Sequence, residues 1–240
     1  MKTESIRSSS NALLKEIRRA VARGELTEDG LAVAESFHLL EEALRSGVEI
    51  ASVVCSERAR AKIECLELDE AVRVAEVSDD LFRSISATEA PQGVIALVRL
   101  PPAGWESVLR FPALTVVLDG VQDPGNAGAI ARAAEAFHAS GLVFLKGTVS
   151  PYNPKTLRAS AGSLFRVPFV DGVAPEELLA ELARHGAARW VTLPRDGTAV
   201  GLAGLEEPCA LVIGNEGRGV SAAMAAGAQG LTIPTGGVES

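Results

Sequence analysis

At 240 residues and 47% hydrophobic content, the chain is long enough for two ordinary domains with packed cores. A net charge of −8 argues against indiscriminate nucleic-acid binding, and no apolar run approaches the roughly 20 residues of a membrane helix, so a soluble, cytoplasmic protein is expected. Cys55, Cys65 and Cys209 contain no C-x-x-C pair and His38, His138 and His185 lie far apart, so neither a disulfide framework nor a metal site is expected.

The charge is unevenly spread. Residues 1–24 hold Lys2, Arg7, Lys15, Arg18, Arg19 and Arg23 against Glu4 and Glu16. Such a segment reads either as a solvated helix face or as a phosphate-contacting arm. Next, "LAVAESFHLLEEAL", residues 31–44, puts Leu31, Ala34, Phe37, Leu40 and Leu44 on one helical stripe that Ser46 and Gly47 end. Strands "IASVVCS", "AVRVAEV" and "GVIALVRL" then alternate with helices "ARAKIECLEL" and "DDLFRSIS", which makes residues 28–100 a small α/β unit. Nothing in it has catalytic spacing, so a recognition or docking role is inferred. "PPAGWESVLRFP", residues 101–112, holds three prolines and a glycine and reads as a linker.

Beyond it the runs "ALTVVLDG", "GLVFLKG", "ARWVTL", "CALVIG" and "GLTIP" have the continuous apolar character of strands buried on both faces. Helical stretches at about 126–140, 153–161, 175–185 and 221–228 separate them. The alternation predicts a mainly parallel sheet covered on both faces, with its ligand site outside the carboxyl ends of the strands.

Three loops carry the polar chemistry. In "LDGVQDPGNAGAIARAAEAF", Asp119, Asp123, Gly125, Asn126 and Gly128 cluster where a strand stops, with Asn126 expected to cap the following helix and Arg132 able to reach back toward the loop. Its G-x-x-G lacks the spacing of a pyrophosphate loop, the next strand leads to Lys146 instead of a carboxylate, and no Walker A sequence is present, all of which argues against a dinucleotide or P-loop site. In "LVIGNEGRGVS", Gly214, Gly217 and Gly219 bracket Asn215, Glu216 and Arg218, so the backbone can bend sharply and approach a ligand, and Ser221 caps a helix. Between them, "SPYNPKTLRASAGSLFRVPF" gathers Lys155, Arg158 and Arg166 with Ser160 and Ser163 and no acid until Asp171. It suits phosphate contact or an ordinary polar helix equally.

In order, "LDGVQDPGNAGAIARAAEAF", "LVIGNEGRG" and the terminal "IPTGGVES" resemble the three motifs of the SpoU/TrmH family of RNA ribose 2′-O-methyltransferases, within the SPOUT superfamily. The first half is similar to the family's substrate-binding domain, itself like a small ribosomal protein, with "SSSNALLKEIRRA" opening it and "ATEAPQGVIALV" closing it. The resemblance implies an α/β fold: a small N-terminal substrate-binding domain (1–100), the linker (101–112) and a C-terminal parallel-sheet α/β-knot methyltransferase domain (113–240). It also implies methyl transfer from S-adenosylmethionine to a ribose 2′-hydroxyl by a homodimer whose C-terminal segment threads a trefoil knot, a rare exception to ordinary chain paths.

Residue by residue, Asn126, Arg132, Glu216 and Ser240 match the family's catalytic positions. Thr192, Leu193, Gly214, Asn215, Gly217 and Ile233 fall where its cofactor is held, and Arg18, Arg19, Lys155 and Arg158 are the candidates for RNA contact. The family's arginine is proposed as a base, yet a protonated guanidinium has no acceptor, so Arg132 is expected to clamp a phosphate while Asn126 orients the ribose and Glu216 positions Arg132 or a water. Ribosomal RNA is preferred over transfer RNA, because a separate N-terminal domain resembles the ribosomal-RNA members. A catalytically silent RNA-binding or ribosome-associated protein is the alternative, against which the retention of Asn126, Arg132 and Glu216 weighs. In the family the third motif runs on into Leu-Asn-Val and a helix through the knot, whereas this sequence stops at Ser240. Weak cofactor binding, an incomplete knot and a partly exposed apolar interface are therefore expected of it.

Overall fold

The computed structural model describes residues 3–110, 114–205 and 208–234. Its contacts divide the chain into one unit of Met1–Pro101 with Ser150–Arg166, and a second of Pro102–Val149 with Val167–Ser240.

The first unit contains β1 (Thr3–Ile6), α1 (Ala12–Arg23), β2 (Ala32–Glu35), α2 (Phe37–Arg45), β3 (Glu49–Ser56), α3 (Arg60–Glu64), β4 (Arg73–Val77), α4 (Asp79–Arg83) and β5 (Val94–Arg99). Its sheet runs β1-β4-β3-β5-β2, parallel through the first three strands and antiparallel where β5 meets β3 and β2. The basic N-terminal segment becomes a strand and an amphipathic helix. Asn11 caps α1 by accepting from the Leu13 N–H, Gly24 closes it in the left-handed region, and Leu14, Ile17 and Ala20 are buried among Ile6, Val54 and Leu97.

The single helical stripe expected over residues 31–44 is instead a strand followed by a helix. Residues Ala32–Glu35 are all buried and pair with β5, and Ser36, at φ 146°, breaks the path and caps α2 through the Leu39 N–H at 3.1 Å. A stretch buried on both faces is apolar at almost every position, so its period does not distinguish strand from helix.

The second unit's elements are α5 (Trp105–Val108), β6 (Leu114–Asp119), α6 (Pro124–Ala136), β7 (Gly141–Leu145), β8 (Phe169–Val173), α8 (Pro175–Arg184), β9 (Ala188–Thr192), β10 (Thr198–Ala199), β11 (Cys209–Gly214), α9 (Ala222–Ala225) and β12 (Gln229–Thr232), with α7 (Pro154–Ala159) lying in the first unit's share of the chain. Its sheet runs β10-β12-β9-β11-β6-β7-β8 with every pair parallel, as the buried apolar runs predict. From β6 the chain winds outward through β7 and β8; β9 lies on the other side, and β11 inserts between β9 and β6. The reversal falls between β6 and β11, where a parallel sheet opens a crevice at its carboxyl ends.

Residues 101–112, expected as a linker, contribute to this unit's core. Val108 and Leu109 are buried, and the Val108 carbonyl accepts from Thr115 Oγ1 at 2.9 Å and Ser140 Oγ at 2.8 Å. Pro101, Pro102 and Gly104 precede a short helix, while residues 111–113 lie outside those described.

Ser150–Arg166 is an excursion of the chain into the first unit. Arg166 Nη1 bonds Glu42 Oε2 at 2.8 Å and Ser46 Oγ at 2.9 Å, and α7 packs along β2. Gly162 sits at φ +91° so close to Glu42 that an added Cβ would lie 2.7 Å from that residue's Cβ, leaving room for nothing larger.

Candidate active site

At the end of β6, Pro124 presets the first helical φ of α6 and needs no N–H partner, so the helix starts there. Asp123 is consequently the cap, accepting from the Asn126 N–H at 2.8 Å. This corrects the expectation that Asn126 caps α6. Asn126 sits instead on the first turn, and its side-chain Nδ2 donates to Glu216 Oε1 at 2.9 Å.

The loop after β11 is built around Gly214, where an added Cβ would fall 2.3 Å from the Gly219 carbonyl carbon and the Val220 nitrogen. Reciprocal backbone bonds between Asn215 and Gly219, at 3.0 and 2.9 Å, close the loop. The Asn215 side chain is consumed in holding it: Oδ1 accepts from the N–H groups of Gly217 and Arg218, both at 3.0 Å, and Nδ2 donates to the Gly120 carbonyl at 2.8 Å. The Ser221 N–H donates to Asp119 Oδ2 at 2.7 Å. Three bonds thus lock the β6 and β11 loops together, at Asp119 with Ser221, Gly120 with Asn215, and Asn126 with Glu216.

Two further residues support the lock and were missed in the sequence. Thr148 Oγ1 accepts from the Gly120 N–H at 3.0 Å and donates to the Leu118 carbonyl at 2.8 Å, and Gln122 Nε2 donates to the Gly147 carbonyl. Thr148 lies in none of the motifs, and its only signal is a hydroxyl just past the neighbouring strand. Glu216 is exposed, and the Asn126 amide, its own backbone N–H and those of Gln122 and Asp123 hold its carboxyl below the usual carboxylate value. It is an anion at neutral pH.

Alongside, three strand ends come into line. Thr192 stands opposite Leu231 across β9 and β12, and Val191 opposite Val212 across β9 and β11, which brings Leu193, Gly214 and Thr232 abreast. Thr192 Oγ1 donates to the Val212 carbonyl at 3.1 Å, and the Leu193 N–H donates to the Leu231 carbonyl at 2.8 Å. Thr232 Oγ1 donates to the Leu193 carbonyl at 3.2 Å and accepts from the Gly197 N–H at 3.0 Å. Gly230 makes room for Leu193, since its added Cβ would lie 2.6 Å from Leu193 Cδ1. Leu193 is half-buried, and Ile233, just past the end of β12, is an apolar side chain 68% exposed.

Not every candidate joins these groups. Arg132 is exposed and has no hydrogen-bond or ion-pair partner among the described residues. Six residues on from Asn126, it projects about 120° away around α6. Arg18, Arg19, Lys155 and Arg158 belong to the first unit, and Ser240 lies outside the described residues. Among the described residues no cluster of His, Cys, Asp or Glu could hold a metal ion.

Residues 113–240 match the SpoU rRNA Methylase family, and residues 11–96 match an MRM3-like substrate binding domain. The chain belongs to the SpoU rRNA methylase family. It is 31% identical over 219 residues to the 23S rRNA (guanosine(2553)-2′-O)-methyltransferase RlmP of Bacillus subtilis, spanning 91% of this chain and 85% of that protein. Against the 23S rRNA (adenosine(1067)-2′-O)-methyltransferase of Streptomyces laurentii it is 31% identical, spanning 90% of this chain and 79% of the relative. The crystal structure of AviRb from Streptomyces viridochromogenes in complex with AdoMet superposes with a TM-score of 0.80 at 25% identity, covering 96% of this chain and 91% of that one. For the AdoMet-bound rRNA methyltransferase of Sinorhizobium meliloti the TM-score is 0.81 at 26% identity, covering 98% and 90%.

As a family member this chain is an RNA ribose methyltransferase, with S-adenosylmethionine as its methyl donor. The residues present fit that donor. Gly214 lets the backbone fold back tightly, the ends of β9 and β12 offer backbone groups, and Leu193 and Ile233 offer the apolar contact that an adenine ring needs.

Proposed function

We propose that this SpoU methyltransferase modifies a ribose 2′-hydroxyl of ribosomal RNA, acting in the cytoplasm as a homodimer with a knotted C-terminal segment. Support for the target comes from the N-terminal match to a substrate-binding domain and from relatives whose names specify 23S rRNA. Among the described residues no helix is long and apolar enough to cross a membrane, which is compatible with the location.

Bound S-adenosylmethionine supplies an electrophilic methyl group on a sulfonium. The chain's own residues have to aim the hydroxyl and ease its proton away. The observation that carries the proposal is the bond from Asn126 to Glu216. An ionised carboxylate can only accept, so it fixes which end of the Asn126 amide faces it: Nδ2 turns inward, and Oδ1 is left to accept from a ribose 2′-O–H. Glu216 is then a positioning residue, and its lowered pKa makes it a poor proton acceptor. Arg132, permanently charged, serves as a clamp for the phosphate beside the target ribose. Its separation from Asn126 around α6 suits a homodimer, in which that face of the helix can serve the other copy's site. Thr192, Leu193, Gly214, Asn215, Gly217 and Ile233 form the cofactor side, with Ser240 the family's third-motif residue.

The test is a comparison of RNA from strains with and without the protein, mapped for 2′-O-methyl groups. A site lost from ribosomal RNA and restored by the wild-type chain is expected, with Arg132→Ala failing to restore it while binding S-adenosylmethionine within a few-fold of wild type. A site lost from transfer RNA overturns the target, and full activity of Arg132→Ala overturns its role.

A further inference from the structure

The four first-unit cations proposed for RNA contact fall into two classes. Arg18 donates from Nε to the Ser84 carbonyl and from Nη2 to Ser84 Oγ, both at 3.2 Å. Arg19 pairs with Glu28, whose N–H donates to Glu16 Oε1 at 2.7 Å. Both guanidinium groups are occupied within the fold. Lys155 and Arg158, by contrast, have no hydrogen-bond or ion-pair partner among the described residues, and the same is true of Arg23 at the end of α1.

Arg158 is the informative one. Its side chain is half-buried, and its Nη1 is fully buried with no acceptor among the described residues. A buried donor without a partner is costly and uncommon, and a guanidinium cannot relieve the cost by losing its proton. Burial of Nη1 holds the group in place, and Nε and Nη2, neither shut off from solvent nor bonded among the described residues, are left for an acceptor from outside. Position supplies the rest: Asn153 caps α7, and a Cβ on Gly24 would lie 2.8 Å from Asn153 Nδ2, so the end of α1 abuts the start of α7. Arg23 immediately precedes that contact and Lys155 follows it by two residues. Lys155 and Arg158, three apart, share one face of α7.

Resting on the reading of the chain as an RNA methyltransferase, we propose that α7 and the C-terminal end of α1 form a single phosphodiester-binding surface, with Arg158 as its fixed contact and Lys155 and Arg23 beside it. Two segments far apart in sequence thereby make one RNA-backbone contact, and one of them lies between the first two methyltransferase motifs. A planar guanidinium held by burial suits a phosphate oxygen, and the absence of acids from residue 150 to Asp171 suits repeated negative charge.

The experiment measures binding of the full chain to deproteinised 23S ribosomal RNA between 50 and 200 mM salt, with calorimetry for S-adenosylmethionine and tritiated methyl transfer read separately. Lys155→Gln/Arg158→Gln is expected to reduce the slope of log affinity against log salt by about 1.4 to 1.8, the value of two phosphate contacts. Arg23→Gln, an exposed change that leaves folding intact, is expected to reduce it by about 0.7 to 0.9, and Arg18→Gln/Arg19→Gln by less than about 0.5. Cofactor affinity stays unchanged in all three. Should Lys155→Gln/Arg158→Gln and Arg23→Gln keep the wild-type slope while the wild type binds and methylates RNA, the surface is wrong and the function stands. A wild-type chain that neither binds nor methylates any RNA overturns both.

Discussion

Each unit fastens a loop through a carboxylate, Glu35 in the first and Glu216 in the second. Glu35 ends β2, is 2% exposed, and accepts from Ser86 Oγ, the Ala87 N–H at 2.7 Å and Thr88 Oγ1 at 2.7 Å. Every donor that reaches it is internal, and the loop carrying "ATEAPQG" is fastened to the sheet edge as a result. Glu216 follows β11, is exposed, and accepts the Asn126 amide across to the β6 loop. The chemistry of closure is the same, but Asn126 is exposed and its side-chain oxygen accepts no bond among the described residues. A loop closure turns into a site when one of its partners retains a spare polar atom on the solvent side, and otherwise it contributes only stability.

Glu35→Ala is the largest expected effect. It leaves the Ala87 N–H without an acceptor and the Ser86 and Thr88 hydroxyls with only each other and the Thr88 carbonyl, and at about 1–3 kcal/mol for each weakened or orphaned group the loss of folding stability should be about 2–5 kcal/mol. Urea unfolding measures it, and whatever fraction stays folded should bind S-adenosylmethionine with wild-type affinity. A change below about 1 kcal/mol would mean that solvent reaches Glu35 and that the two carboxylates are alike. Glu216→Gln comes next, in the opposite direction: the unfolding midpoint stays put, and methyl transfer falls by about 100-fold, because a neutral amide no longer dictates which end of Asn126 faces inward. The pH profile sharpens this. The lowered pKa of Glu216 means the anion and its bond are fully present above the ordinary carboxylate range and are lost only as pH falls through the lowered value. A rate that begins to fall at higher pH than that would assign the titration to another group.

The parallel sheet could be read from the sequence because its central strands are buried on both faces and apolar throughout. β8 could not, since its "FVDGV" contains Asp171 and Gly172 and pairs on one side only, across a register shift beside Phe144. β1, "TESI", is an edge strand with one buried side chain and has no apolar run to read. The start of α6 was legible in "DPGN", where proline at the first helical position points to Asp123 as the cap, although Asn126 is an equally good capping residue type. Asn126, Glu216 and the glycines around them were found because motif residues cluster in sequence. The bonds of Asp119 to Ser221 and Thr148 to Gly120 depend on how β6, β7 and β11 are aligned, and no local pattern encodes that alignment.

Thr148→Val tests whether such an unmarked residue matters to the site. Valine has nearly the shape of threonine but no hydroxyl, so the Gly120 N–H loses its acceptor and the Leu118 carbonyl its donor. Gly120 sits at φ +75°, and its carbonyl is the group that holds Asn215, so slack at its N–H passes directly into the loop that carries Glu216. The lost bonds are worth about 1–2 kcal/mol, and if most of that appears as misalignment of Asn126 and Glu216, methyl transfer should drop by about tenfold. Thr148→Ser retains the hydroxyl and should recover most of the rate, which a purely steric role for Thr148 would not allow. If Thr148→Val transfers methyl at the wild-type rate, the bonds from Asn215 and Asp119 alone suffice to hold the junction, and the site is confined to the motif residues after all.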